Sequence, residues 1–223
     1  MSELKDFVGK MLNEYDSRRP RSTQVEVGPS SVGGCHRRLW HELAQTPPTN
    51  EGDKLGAILG TFIHSNLEEV IRAEDPWGEQ FELEIEVATD EIKGHVDCYD
   101  KINQRVIDWK TMKKNGARYF GANNRQQVWQ IQLYGYLLEQ NGYTVKEVAL
   151  VGIPRDAKMS DILTYTEPYS PEKAEEALNH LRNTKKMVEI GEKPSPEKPL
   201  AFCADFCPFY DPSGEVGCQS TVK

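Results

Sequence analysis

A chain of 223 residues, 38% hydrophobic and 28% charged, has the length and composition of one soluble domain with room for a small appended module. Its formal net charge of −8 argues mildly against a general nucleic-acid coat, for which a basic domain is usual, but leaves room for a site that holds a few phosphates through a metal and a local basic patch. No run of about 18 apolar residues marks a membrane span, and the opening stretch MSELKDFVGK lacks the apolar core of a secretion signal, so a cytoplasmic protein without membrane contact is expected. Five cysteines, an odd number, then favour metal or cluster binding over a disulfide framework.

The spacing of Leu4, Phe7, Val8, Met11, Leu12 and Tyr15 predicts an amphipathic helix over Glu3–Tyr15. Residues 17–34, rich in Arg, Pro, Ser and Gly, read as a loop, and Cys35 opens a short helix that ends before Pro47. A second helix is predicted over Leu55–Ala73, with Gly56 and Gly60 four apart for close packing, His64 in its middle and Glu68 one turn on. Phe81, Leu83, Ile85 and Val87 alternate with Glu82, Glu84 and Glu86, the pattern of a half-buried strand. Asn115–Gln140 is helical in pattern. Val145–Pro154 is a near-continuous apolar run, which marks a central strand covered on both faces, and Ile162–Thr166 reads as an edge strand. Ser170 as N-cap and Pro171 at the first helical position start a last helix that runs to about Ile190. A Pro-rich linker, 193–199, leads to a tail with Cys203, Cys207 and Cys218. Helices, three strands, a long helix, two strands and a helix fit an α/β domain with a mixed central sheet flanked by helices.

The stretch Gly94–Lys110 concentrates the chemistry. Two β-prone runs flank a polar turn, Lys101-Ile102-Asn103-Gln104. Residues i and i+2 of a strand share a face, so Asp108 and Lys110 point one way and Trp109 the other. A hairpin with a two- or four-residue loop pairs residues whose numbers sum to an odd value, which puts Asp97 on the face of Asp108 and Lys110 and turns Cys98 into the opposite core. On its own an Asp–Lys pair in a hairpin is an ordinary exposed contact. With His64, however, Asp97 and Asp108 supply one imidazole and two carboxylates from three elements. Together with the backbone carbonyl of Trp109, they suit Mg²⁺ or Mn²⁺.

In order along the chain stand Gly60-x-x-x-His64, Gly94-x-x-Asp97, Asp108-x-Lys110 and Gln132-x-x-x-Tyr136. This series resembles the motifs of the PD-(D/E)XK nucleases of RecB type. The resemblance implies a restriction-endonuclease-like core, metal binding by His64, Asp97 and Asp108, a catalytic Lys110, and a helix carrying Gln132 and Tyr136 beside the active site and against DNA. Arg37 and Arg38 are further substrate-binding candidates. Other basic clusters, at Arg18, Arg19 and Arg21 and at Lys113, Lys114, Arg118 and Arg125, read as solvated surface.

Cys35 far upstream and Cys203-x₃-Cys207-x₁₀-Cys218 in the tail resemble the iron–sulfur subgroup of these nucleases, which includes the CRISPR-associated adaptation nuclease and the AddB nuclease domain. There four cysteines hold a [4Fe–4S] cluster that staples the tail to the N-terminal helices. The ten-residue gap before Cys218 departs from the shorter gaps frequent in that subgroup, and four thiolates also suit zinc. The expected division is a nuclease domain over 1–192, with a helical part (1–75) and a catalytic core (76–192), and a Cys-rich tail over 193–223 that completes an iron–sulfur module with Cys35. The expected activity is exonucleolytic on single-stranded DNA, 5′ to 3′, in recombination, end processing or spacer acquisition, alone or within a recombination or CRISPR adaptation complex. The alternative is a non-catalytic DNA-binding or scaffold subunit with a zinc staple.

Overall fold

The computed structural model describes residues 3–18, 27–198 and 200–220; Arg19, Arg21 and Pro199 lie outside them. One sheet holds five strands in chain order: β1 (Phe81–Ala88), β2 (Lys93–Asp100), β3 (Arg105–Met112), β4 (Glu147–Pro154) and β5 (Leu163–Pro168). Neighbours are antiparallel except β3 and β4, which run parallel and are therefore joined by a crossover through a helix. Seven helices are described: α1 (Glu3–Ser17), α2 (Pro29–Val32), α3 (His36–Leu43), α4 (Leu55–Glu74), α5 (Arg125–Gln140), α6 (Pro171–Glu189) and α7 (Leu200–Phe206). Among the described residues no helix is long and apolar enough to cross a membrane.

The main core lies between one face of the sheet and α5 and α6. Val96, Tyr99, Val106, Val148 and Leu150 from the strands meet Ile131, Leu137 and Leu138 of α5 and Ala177, Leu178 and Leu181 of α6. A smaller cluster of Cys98, Ile107 and Ala149, flanked by Phe81, Leu83, Trp109 and Val151, occupies the other face. β4 contributes to both clusters, as its unbroken apolar run implied, and β5 is the edge strand with alternating exposure. Ser170 caps α6 by accepting the backbone N–H of Lys173 at 3.2 Å.

Three local expectations change. The alternation read in β1 does not keep one face buried throughout. Phe81 and Leu83 join the small cluster, whereas Ile85 and Val87 join the main core. The switch falls at Glu84, whose φ of +52° lies in the left-handed region that side chains rarely adopt. Helix α5 begins at Arg125, not near Asn115. Two 3₁₀ turns, Lys114–Tyr119 and Gly121–Asn123, precede it, and Gly121 with φ +67° opens the second. The amphipathic N-terminal helix forms, but its apolar residues Leu4, Phe7, Val8 and Met11 are exposed; Tyr15 alone among them and its neighbours stacks on α4, 5.1 Å from Phe62.

The tail is pinned to α3 and the loop after it. The backbone N–H groups of Thr49 and Asn50 donate to the Pro208 carbonyl, and Asp53 N–H donates to Asp205 O at 2.7 Å. The Asn50 side chain donates to the carbonyls of Ala204 and Cys207, each at 3.0 Å. Phe209 stacks on the buried His41 ring, with centroids 5.3 Å apart.

Candidate active site

The β2–β3 ladder pairs Asp100 with Arg105, Tyr99 with Val106 and Cys98 with Ile107, the odd register expected of a four-residue turn. The ladder stops there. In place of the next strand bond, Asp97 Oδ2 accepts the backbone N–H of Trp109 at 2.9 Å. A side-chain carboxylate thus substitutes for a strand carbonyl, and the two strands part around a pocket of about 360 Å³. His64, Asp97, Asp108, Lys110, Gln130 and Tyr134 line it, and Ser30, Ser31, Lys93 and His95 form its rim.

Two glycines permit this convergence. A Cβ on Gly94 would lie 3.0 Å from both Pro29 and the Tyr134 ring, so the bare backbone lets α2 and α5 close over β2. A Cβ on Gly60 would lie 3.0 Å from Thr111 Oγ1, so α4 approaches β3 closely enough for His64 to reach Asp97.

Both carboxylates are buried, Asp97 at 6% and Asp108 at 2% exposure. His64 Nδ1 is 3.5 Å from Asp97 Oδ2. Lys110 Nζ is 2.7 Å from Asp108 Oδ2 and donates to Gln130 Oε1 at 2.8 Å. Gln130 turns its amide nitrogen to Asp108 Oδ1 at 3.0 Å and to the Tyr134 hydroxyl at 3.2 Å. Burial pushes the Asp108 carboxyl up to about 6, against the pull of Lys110 and with the help of the Asp97 charge. Burial acts on Asp97 in the same sense, but the bond and charge of His64 and the Trp109 N–H outweigh it and hold Asp97 below the ordinary carboxylate range. His64 is the reciprocal case: burial pulls its pKa down, yet Asp97 raises it above its usual value. The surroundings thus favour the charged forms of His64 and Asp97 and the protonated form of Asp108.

The donor set fits a hard divalent cation in kind. Asp108 Oδ2 is a buried oxygen with the Lys110 ammonium close by but no hydrogen bond of good geometry, so it has lone-pair capacity to spare toward the pocket. Among the described residues no three His, Cys, Asp or Glu side chains are gathered around one point as a metal cage. Asp97 is held by Trp109 and His64, and Asp108 by Gln130 and Lys110, so cation entry requires these carboxylates to exchange partners.

Other expected site residues stand elsewhere. Gln132 is fully buried and faces away from the pocket. Its amide donates to Glu167 at 2.7 Å and to the Pro168 carbonyl at 3.2 Å, and its oxygen accepts the Ser170 N–H at 2.8 Å. Tyr136 packs against the main core. The motif Gln-x-x-x-Tyr occurs twice on α5, offset by two residues, and that offset turns the helix by about 200°. The pair at the site is Gln130 and Tyr134. The signal lay in the next turn: 130, 134 and 138 continue into buried Leu138, while 132, 136 and 140 continue into exposed Gln140. Arg37 and Arg38 are not at this pocket. Arg37 donates to the Pro194 carbonyl and Arg38 to Glu42 at 2.8 Å. Glu68 pairs with Arg72 at 2.7 Å on the solvent side of α4. Trp109 packs its ring in the small cluster, with Cys98.

Cys35, Cys203, Cys207 and Cys218 are all free thiols at the junction of α3 and the tail. Burial raises Cys203 and Cys207, and the charges of neighbouring cysteines add to it: Cys35 and Cys218 act on Cys203, Cys203 and Cys35 on Cys207. The charges of some of these cysteines thus reach others, but among the described residues no three of them are gathered into a group that could hold a metal ion; Cys98 is buried under the sheet, its thiol pushed up to about 12.

The profile of the PD-(D/E)XK nuclease superfamily matches residues 10–211. No curated protein matches. Among solved structures, a phage related exonuclease from Haemophilus somnus 129PT is similar, with a TM-score of 0.45 and 14% identity over 73% of this chain and 82% of that one. The profile spans most of the chain and the whole of a mixed sheet ordered as in restriction-endonuclease-like folds, and on that ground the chain belongs to the PD-(D/E)XK nuclease superfamily and is a nuclease.

Proposed function

We propose a metal-dependent DNA nuclease that acts as an exonuclease on single strands from the 5′ end. The observation that carries the hydrolytic reading is the convergence of Asp97, Asp108 and Lys110 on one pocket, with Gln130 bridging Asp108 and Lys110. His64, Asp97, Asp108 and the Trp109 carbonyl would hold Mg²⁺ or Mn²⁺. When bound, the cation supplies Lewis acidity at the phosphate and a more acidic water. Lys110, fixed between Asp108 and Gln130, orients the attacking water and offsets charge on the phosphoryl oxygens. Gln130 keeps the ammonium aimed into the pocket, and Tyr134 closes the wall beside it. A pocket of about 360 Å³ is at the small end of ligand sites and suits one nucleotide presented without its complement. The 5′ polarity, and a place in recombination, end processing or spacer acquisition, rest on the resemblance to RecB-type nucleases.

The test is digestion of end-labelled single-stranded DNA with Mg²⁺ or Mn²⁺. Asp108→Ala and Lys110→Ala should each abolish degradation, and the label released first reads the polarity. If both variants cut like the parent protein, the assignment of Asp108 and Lys110 is wrong; a parent that binds DNA but cuts it with neither metal would instead be a non-catalytic DNA-binding subunit.

A second element of the reading, a [4Fe–4S] cluster held by Cys35, Cys203, Cys207 and Cys218, rests on the resemblance of these cysteines to the iron–sulfur subgroup. Its contribution would be to staple the 193–223 tail to α3. Protein purified without oxygen should be brown with broad visible absorption, lost in Cys203→Ala. Colourless protein with stoichiometric zinc would establish a zinc staple instead.

A further inference from the structure

Beside the catalytic pocket lies a larger groove of about 920 Å³, and the two share Ser30 and Ser31 as a common wall. The groove runs from that wall past Gly33, Gly34 and Cys35 to the tail. Its composition differs from a protein-docking patch. Two aromatic side chains stand exposed on it, Tyr119 at 58% and Phe202 at 44%. Asn123 and Asn124 offer amides, and Lys198 and Arg38, the latter already paired with Glu42 at 2.8 Å, offer cations. Among the described residues that line it the carboxylate is Glu197, which is paired with Arg125 at 3.0 Å and accepts the His36 N–H at 2.9 Å. Arg118 lies over the Tyr119 ring, 4.7 Å from its centroid, and so adds positive charge beside the stacking surface.

Separate aromatic platforms, amides and cations along a groove are what an unpaired nucleic-acid strand requires: faces for bases, partners for base edges and charge for phosphates. We infer that this groove is the track for the single DNA strand flanking the scissile phosphate, with bases stacked on Tyr119 and Phe202 and the backbone held by Arg38 and Lys198. The inference rests on the nuclease reading of the adjoining pocket and extends it to the substrate outside that pocket. It also gives Arg38 a role at a distance from the catalytic carboxylates. Phe202 belongs to α7 and Cys35 lies on the groove wall, so the track exists only while the tail is docked.

The experiment measures binding of a fluorescent 15-nucleotide oligothymidylate to the full chain in EDTA at low salt, where no cutting occurs. Tyr119→Ala and Phe202→Ala should each weaken binding on the order of tenfold. Tyr119→Phe and Phe202→Trp, which keep a stacking face, should bind like the parent. In digestion with Mg²⁺, the alanine variants should show a raised KM for long strands with kcat retained. Parent-like binding by both alanine variants, absence of oligonucleotide binding by the parent, or equal binding of duplex and single strand would each overturn the track. Failure of the nuclease reading looks different: the oligonucleotide binds in a Tyr119-dependent way, yet no metal supports cutting.

Discussion

Asp108 sits in surroundings that resist its charge, and the sign of that resistance has a consequence for stability. Its carboxyl is raised from an ordinary 3.8 to about 6, chiefly by burial. A group raised on folding contributes stability that is complete below its ordinary value and lost as pH climbs through the folded one. His64 acts in the same direction: its pairing with Asp97 stabilises the fold below the usual 6.5 and fades as pH rises through its raised value. Asp97, held low, runs the other way, and its contribution is lost only as pH falls beneath the carboxylate range. The metal-free protein should therefore be most stable in mild acid and less so toward pH 8. Asp108→Asn removes the ionisation that burial resists. Scanning calorimetry at pH 7.5 without metal should show its Tm a few degrees above the parent, with little difference at pH 4, while the variant is inactive. A lower Tm at pH 7.5 would mean that the Lys110 pair outweighs burial. Proton competition also implies that added Mg²⁺ stabilises the parent more at pH 8 than at pH 5.5.

Helix α5 shows how much an element discloses and where the disclosure stops. That Asp97, Asp108 and Lys110 share a face followed from strand parity alone, and His64 needed only one helix laid across β3. Choosing between two Gln-x-x-x-Tyr pairs needed the helix's rotation, and rotation is set by what packs beneath it rather than by the motif. The two glutamines now make opposite predictions. Gln130→Ala unbinds Lys110 and Asp108 from their common support, so cleavage should fall about 10- to 100-fold with Tm nearly unchanged. Gln132→Ala leaves the Ser170 N–H without its acceptor at the start of α6 and removes one of the donors to Glu167, which keeps Tyr165 and Lys173; this should cost about 1–3 kcal/mol in denaturant unfolding while kcat is retained. The face switch in β1 was illegible for a related reason. Glu84 carries no turn residue's signature, and its left-handed backbone falls between Leu83 and Ile85, whose ladder partners Cys98 and Val96 flank Asp97.

At the scale of the molecule, the order of strands and helices was readable because each apolar run has one period and clear ends. The docking of the tail was readable only through its cysteines, since hydrogen bonds from the backbone of Thr49, Asn50 and Asp53 leave no mark on composition. That clasp gives a prediction independent of any metal. Phe209 is buried against His41, and Phe209→Ala should cost about 3–5 kcal/mol of tail docking, exposing the Lys193–Lys198 linker to trypsin while the sheet remains protected against hydrogen exchange.

The same clasp joins positions 154 to 161 residues apart. His64, Asp97, Asp108, Lys110, Gln130 and Tyr134 of the pocket stand on a sheet and helices that are complete well before residue 202 is made. During translation the order of emergence is therefore pocket first and far wall of the groove last. A growing chain can assemble its carboxylates and lysine while the proposed strand track still lacks Phe202. That track is completed only after the tail segment has been made and has folded back on the loop after α3.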